Sequence, residues 1–114
     1  MGKKRDLVSH EKGLKLSVGD PSTLNGTPNT NRDLYRSHTG EIHRRRKFDK
    51  NGNAYVDLDY ADDTHKKNHV HDFVGKKRMS DRDPSKKESI EMRKAQRKYV
   101  VQENGIWKRK KKKY

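Results

Sequence analysis

The sequence predicts a small α+β or mainly β domain, a three-to-four-stranded antiparallel meander with one peripheral helix and disordered basic termini. Three observations predict it. Between residues 31 and 75, short runs of alternating polar and apolar residues are separated by glycine-containing turns, the period-2 signature of half-buried strands. A helix start signal occurs once, at Pro84, Ser85 and Glu88. Apolar material for anything larger is missing, because Leu, Ile, Val and Phe number 18, about 16% of the chain, under the roughly 20% below which highly charged chains stay largely unfolded.

Residues 1–30 mix Lys, Ser, Gly, Asn, Thr and Pro, with Asp20-Pro21 and Thr27-Pro28 as turn markers, and read as a flexible arm with one edge strand around Leu14-Lys15-Leu16-Ser17-Val18. Residues 31–75 form the β domain. Gly40 and Gly52 divide Arg32 to Tyr60 into three strands, and each glycine suits the left-handed position that closes a three-residue loop. Partner numbers then sum to 78 across the first loop and 102 across the second. That register puts Leu34, Ile42, Arg44, Arg46, Phe48, Ala54, Val56, Leu58 and Tyr60 on one face. The other face carries Asp33, Arg45 and Asp57 in one row and Tyr35, His43 and Asp59 in the next. A one-residue slip would exchange the faces.

A loop over 61–68 leads to a fourth, histidine-rich strand beginning at His69. Residues 76–84 read as a charged linker. Ser85 and Glu88 stand at capping-box spacing and open a helix reaching about Tyr99, with Ile90, Met92, Ala95 and Tyr99 to bury. Asn104-Gly105 between apolar flanks marks a two-residue hairpin that completes the 85–107 unit. Residues 108–114 are a basic tail, disordered when free.

Lys and Arg number 30 against 16 Asp and Glu, a formal charge of +14, with +4 in residues 1–60 and +10 in residues 61–114. A nucleic acid is the expected partner, because each neutralised phosphate releases condensed counterions. An anionic membrane is the runner-up partner, but no helix offers a broad apolar face and no run approaches the ~18 apolar residues of a span, so no membrane partner is expected. No signal-peptide pattern follows Met1. Without cysteine, disulfides and thiolate metal sites are excluded, so any metal would take His and carboxylate ligands.

The richest chemistry lies in His65, His69 and His71, which follow the strand holding Asp57 and Asp59. On strands His69 and His71 share a face, as do Asp57 and Asp59, so the two pairs can converge. Three roles are open. A divalent metal would take His69, His71 and Asp59 or Asp57, with one position free. A metal-free ribonuclease would use His43, His69 or His71 as base and acid and Arg45 as the cation for the phosphorane charge. In the third role the row Tyr35, His43, Asp59 only stabilises the sheet. Arg45 is expected to pair with Asp33 and Asp57. Arg44 and Arg46 either lay their stems over the core or join Lys47 in a phosphate-binding ribbon. Lys108, Arg109, Lys110, Lys111, Lys112 and Lys113 form a nucleic-acid clamp flanked by Trp107 and Tyr114, with Trp107 also suited to sealing the core.

The segments Gly26-Thr27-Pro28-Asn29-Thr30, Asp33-Leu34-Tyr35, Arg45-Arg46-Lys47-Phe48-Asp49, Asn51-Gly52-Asn53-Ala54, Asp57-Leu58-Asp59-Tyr60 and His69-Val70-His71 occur in an order that resembles the bacterial polymorphic toxin type 24 family. The resemblance covers about residues 26–75, with departures at Asn68, where proline is usual, and at Phe73, where tryptophan is usual. Segments of that family end secreted toxin chains and some prophage minor head proteins. The resemblance implies attack on nucleic acid, a bacterial cytoplasmic or phage-associated setting, and an acidic immunity protein or a phage protein as partner. The expected function is therefore a basic nucleic-acid-binding protein that acts as a toxin-type nuclease through Arg45, Asp57, Asp59, His69 and His71. The alternatives are a noncatalytic phage or mobile-element accessory that binds DNA or a protein, and a small regulator that binds an acidic surface.

Overall fold

The structure is a computed structural model that describes residues 7–11, 14–18, 24–36 and 38–113, so the Asp20-Pro21 turn marker and Tyr114 lie outside it. Its strands are β1 (Leu7–Glu11), β2 (Leu14–Val18), β3 (Asn31–Tyr35), β4 (Ile42–Phe48), β5 (Ala54–Asp59), β6 (His69–Val74), β7 (Lys77–Arg78), β8 (Lys98–Glu103) and β9 (Ile106–Lys111). The helix α1 (Lys86–Ala95) precedes β8. Strands β1 to β7 form one sheet in chain order, and β8 and β9 form a separate hairpin. All neighbours are antiparallel except β2 and β3, which run parallel. The predicted four-stranded meander is β3 to β6, at the centre of a mainly β molecule with one helix.

Both predicted glycines take the left-handed conformation, Gly40 with φ +76° and Gly52 with φ +80°. The Gly52 loop has the expected three residues: Asp49 and Asn53 flank it, and the Asp49 carboxylate accepts from the backbone of Asn51 and Asn53. The Gly40 loop is one residue longer than expected, because Arg36 N–H donates to Glu41 O. That extra residue is absorbed by a bulge: Tyr35 opposes Ile42, Leu34 opposes Arg44, and His43 is left over between them. The register sum of 78 holds for Asn31 to Leu34 and fails at Tyr35. The proposed Tyr35, His43, Asp59 row does not form.

A second bulge has the larger consequence. Phe48 opposes Ala54 as predicted, but Lys47 opposes Val56, so Tyr55 is the extra residue and the pairing continues as Arg46 with Asp57, Arg45 with Leu58 and Arg44 with Asp59. Residues 24–26 occupy the loop end of β5: Ala54 N–H donates to Leu24 O and Gly26 N–H donates to Gly52 O. An inserted residue reverses which side chains share a face across the pair. Within β5 the prediction stands, with Val56 and Leu58 on one side and Asp57 and Asp59 on the other. For β4 it is inverted: Arg44 and Arg46 join the aspartates, while Arg45 and Lys47 point to the apolar side.

One core lies on that apolar side. Tyr35, Ile42, Val56, Leu58, Tyr60 and Val70 of the sheet pack with Met92 and Ala95 of α1 and Val100 of β8, and Trp107 closes its edge. Residues of the 31–75 and 85–107 segments thus share one core. Ser85 caps α1 in a complete capping box with Glu88. The helix stops at Ala95, short of the predicted end near Tyr99, because the next residues join strands: Tyr99 bridges Glu41 and Val100 N–H donates to Gly40 O. Asn104 and Gly105 both have positive φ, as a two-residue turn requires.

Two charged stretches are more ordered than their composition implies. The 76–84 linker contains β7, and Arg82 exchanges both backbone hydrogen bonds with Val70. Strand β9 runs to Lys111, so residues 108–111 are half of a hairpin and not a free tail. Its cations are neutralised in part by Glu103, which pairs with Lys108 and Lys110, and Lys112 just beyond the strand pairs with Glu41.

Candidate active site

On the sheet face turned away from α1, β5 and β6 bring Asp59 opposite His69 and Asp57 opposite His71. One potential ligand atom from each of Asp59, His69 and His71 lies within 4.8 Å of the other two. His69 Nδ1 is 3.1 Å from Lys67 O and His71 Nδ1 is 2.8 Å from Met79 O. A carbonyl oxygen only accepts, so each Nδ1 carries the hydrogen and each Nε2 is directed at Asp59. The Nε2 to Asp59 Oδ2 distances are 3.6 Å and 3.8 Å. These are within Coulombic reach of a protonated ring but too long for a hydrogen bond, which leaves both Nε2 atoms able to engage a ligand. His65 stands over His69 with ring centroids 4.8 Å apart, and His69 meets His71 edge-on at 5.2 Å.

Three guanidiniums hold the two carboxylates. Arg46 makes a bidentate pair with Asp57, at 2.8 and 2.9 Å, and Arg44 pairs with Asp59 through Nε at 2.8 Å. Arg78 of β7 spans both, 3.2 Å from Asp57 and 2.7 Å from Asp59. Asp57 is fully buried and Arg46 nearly so, with Phe73 stacked on its guanidinium. Arg78 is the most open of the three, its side chain 35% exposed. Burial alone would raise the Asp59 carboxyl. The hydrogen bonds and charge of Arg44, with the charges of Arg78 and His69, outweigh it and hold Asp59 below the ordinary aspartate value. Asp59 is therefore held as an anion between the guanidiniums and the two imidazoles.

Of the sequence-predicted site residues, Asp57, Asp59, His69 and His71 come together. Arg45 does not. It lies on the opposite face, bound to Asp33 at 2.6 and 2.8 Å and to Glu91 of α1 at 2.9 Å, so its expected partnership with Asp57 is replaced by one that fastens the helix. Lys47 joins the same Glu91 at 2.7 Å, which removes it from the phosphate ribbon. His43 is the bulge residue, outside the Asp59, His69, His71 group. Arg44 and Arg46 neither cover the core nor project as a ribbon; they are ion-paired within the cluster. Arg109 of the supposed clamp is half-buried, 3.9 Å from Asp33. Arg78 was missed, although Gly75 between Val74 and Lys77 is the hairpin signal that would have placed it.

A divalent cation is compatible with the donor set, since ligands on a tetrahedral Zn²⁺ lie about 3.4 Å apart and metal-bound histidines usually donate Nδ1–H to a carbonyl. The charge runs the other way. Three arginines already neutralise two aspartates, and Asp59 Oδ2 accepts from Arg78, so a dication would enter a patch of positive balance. The arrangement suits an anion better than a metal.

Among the described residues no helix is long and apolar enough to cross a membrane. Comparisons with protein-family models, with curated proteins and with solved structures return no match.

Proposed function

We propose that this chain is a nucleic-acid-binding protein that cleaves phosphodiester bonds by imidazole acid–base chemistry at His69 and His71. The observation that carries the reading is two Nε2 atoms directed at one ionised carboxylate, beside a partly open arginine. On RNA, the neutral imidazole takes the 2′-hydroxyl proton as O2′ attacks phosphorus. The second imidazole, protonated and stabilised by Asp59, gives its proton to the departing 5′-oxygen. The products are a 2′,3′-cyclic phosphate and a 5′-hydroxyl, and Arg78 takes the cationic role first given to Arg45. The resemblance to polymorphic toxins and the net charge of +14 support the same substrate class.

Labelled RNA and DNA incubated with the full chain, with and without chelator, test it. We expect chelator-resistant RNA cleavage, and a loss of about 10²–10⁴-fold for His69→Ala or His71→Ala with folding intact. A His69→Ala/His71→Ala double variant as active as the parent would sink the proposal. One observation favours a noncatalytic accessory protein instead: every arginine at the site is already ion-paired, as in a structural polar network. Binding without cleavage of either nucleic acid, under any divalent metal, would select that reading.

A further inference from the structure

Residues 85–113, comprising α1 with its cap and the β8–β9 hairpin, hold twelve Lys and Arg against three Glu, a net +9 of the chain's +14. Between α1 and the hairpin runs a groove of about 500 Å³, on the sheet face opposite the histidines. Asp33, Arg45, Glu91 and Arg109 form its floor, and Lys87, Lys94 and Lys98 line its rim. The floor is internally compensated, since Asp33 and Glu91 are bonded by Arg45, and Lys47 adds a second cation to Glu91. Its carboxylates therefore do little to repel an anion. The rim differs: Lys87, Lys94 and Lys98 make no ion pair among the described residues. Lys87 and Lys94 are two helical turns apart on one side of α1, and Lys98 opens β8, so three ammonium groups border one concave surface.

We propose that this groove binds the phosphodiester backbone of a nucleic acid as a second site, separate from the histidine cluster. It shares with the preceding reading only the class of ligand. Lysine is a flexible point charge suited to single phosphates. A protein partner would need a large apolar or aromatic anchor at the centre of the interface, and the apolar lining of the groove is Ile90, 37% exposed, and the small Ala95. The cationic surface also continues around the end of α1, where Arg93, Arg97, Lys111 and Lys112 line a neighbouring hollow of about 600 Å³. A chain of regularly spaced phosphates matches such a track better than a compact acidic patch does.

Fluorescence anisotropy of the full chain with labelled DNA oligonucleotides, from 50 to 300 mM salt, tests the proposal. Each phosphate contact on a single strand contributes about 0.7 to the slope of log affinity against log salt, so Lys87→Ala/Lys94→Ala/Lys98→Ala should reduce the slope by about 2. An unchanged melting temperature would show the variant folded, and the single charge reversal Lys94→Glu supplies a milder check of the same sign. The His69→Ala/His71→Ala variant should bind as the parent does while losing cleavage, which separates failure of this proposal from failure of the catalytic one. A salt slope unaltered in the triple variant would overturn it, as would parent binding to polyglutamate as tight as to the oligonucleotide, the result expected of a protein-docking surface.

Discussion

On the face toward α1, Arg45 and Lys47 are committed to Asp33 and Glu91, whereas on the opposite face Arg44, Arg46 and Arg78 converge on Asp57 and Asp59 and two imidazoles stand beside them. Four consecutive cations of β4 supply both networks, because a strand deals alternate residues to alternate faces. The first network ends in a helix and is closed. The second ends at His71 and Arg78, near the edge where β7 finishes the sheet, and keeps an open side. Ion pairs of the same chemistry thus fasten one face to the helix and leave the other open, and what decides between them is whether an element covers the outermost charge.

Removing the innermost carboxylate should break this comparison most severely. Asp57→Ala leaves Arg46 buried without its bidentate partner, and we expect a loss of about 3–5 kcal/mol in denaturant unfolding. The histidine variants above should cost clearly less, which would divide the open face into a structural inner pair and a chemical outer one. An equally destabilised His69→Ala/His71→Ala variant would erase that division.

Next in size come two glycines of nearly equal φ, +76° at Gly40 and +78° at Gly105. A Cβ on Gly40 would collide with the Val100 carbonyl, at the seam between hairpin and sheet, whereas a Cβ on Gly105 would meet nothing within 4 Å. Both alanine variants incur the left-handed penalty of about 1–2 kcal/mol. Gly40→Ala should cost clearly more, with hydrogen exchange in β8 and β9 rising well above that in β5. Equal melting temperatures for the two variants would contradict the seam.

The covered face can be sharpened by pH. Burial would raise the Glu91 carboxyl, but its bonds to Lys47 and Arg45 hold it below the ordinary value. Glu88, bonded chiefly by Arg82 and also held by the Ser85 cap, is lowered to about 2 from 4.5. Carboxyls lowered by folding stabilise the protein above their unfolded values, and that contribution is lost as pH falls through the folded values. Stability should therefore decline from about pH 4.5 toward pH 2, and Glu91→Gln should flatten the decline. The smallest effect expected is Ser85→Ala, about 1 kcal/mol, as the cap is lost. A pH profile identical in Glu91→Gln and the parent would show that the helix is not held by this charge.

The pairing of Asp57 with Asp59 and of His69 with His71 was legible from alternation alone, and so were the left-handed glycines, the capping box and the Asn104-Gly105 turn. Each depends on residues within a few positions of one another, where backbone sterics and period decide. Which arginines meet those aspartates was not legible. It depends on the extra residues His43 and Tyr55, and the strand end beside Tyr55 is hydrogen-bonded to residues 24–26, far away in the chain. Arg78 reached the site by a strand of two residues, too short to show a period.

The sequence by itself determined the alternation of β5 and β6, the turns and the excess of positive charge, because local backbone preference and composition need no distant partner. Only the tertiary structure decided that Arg44, Arg46 and Arg78 close on the aspartates while Arg45 fastens the helix. One inserted residue in a paired strand reverses its faces, and the alternation within a single strand does not show where its partner carries an insertion.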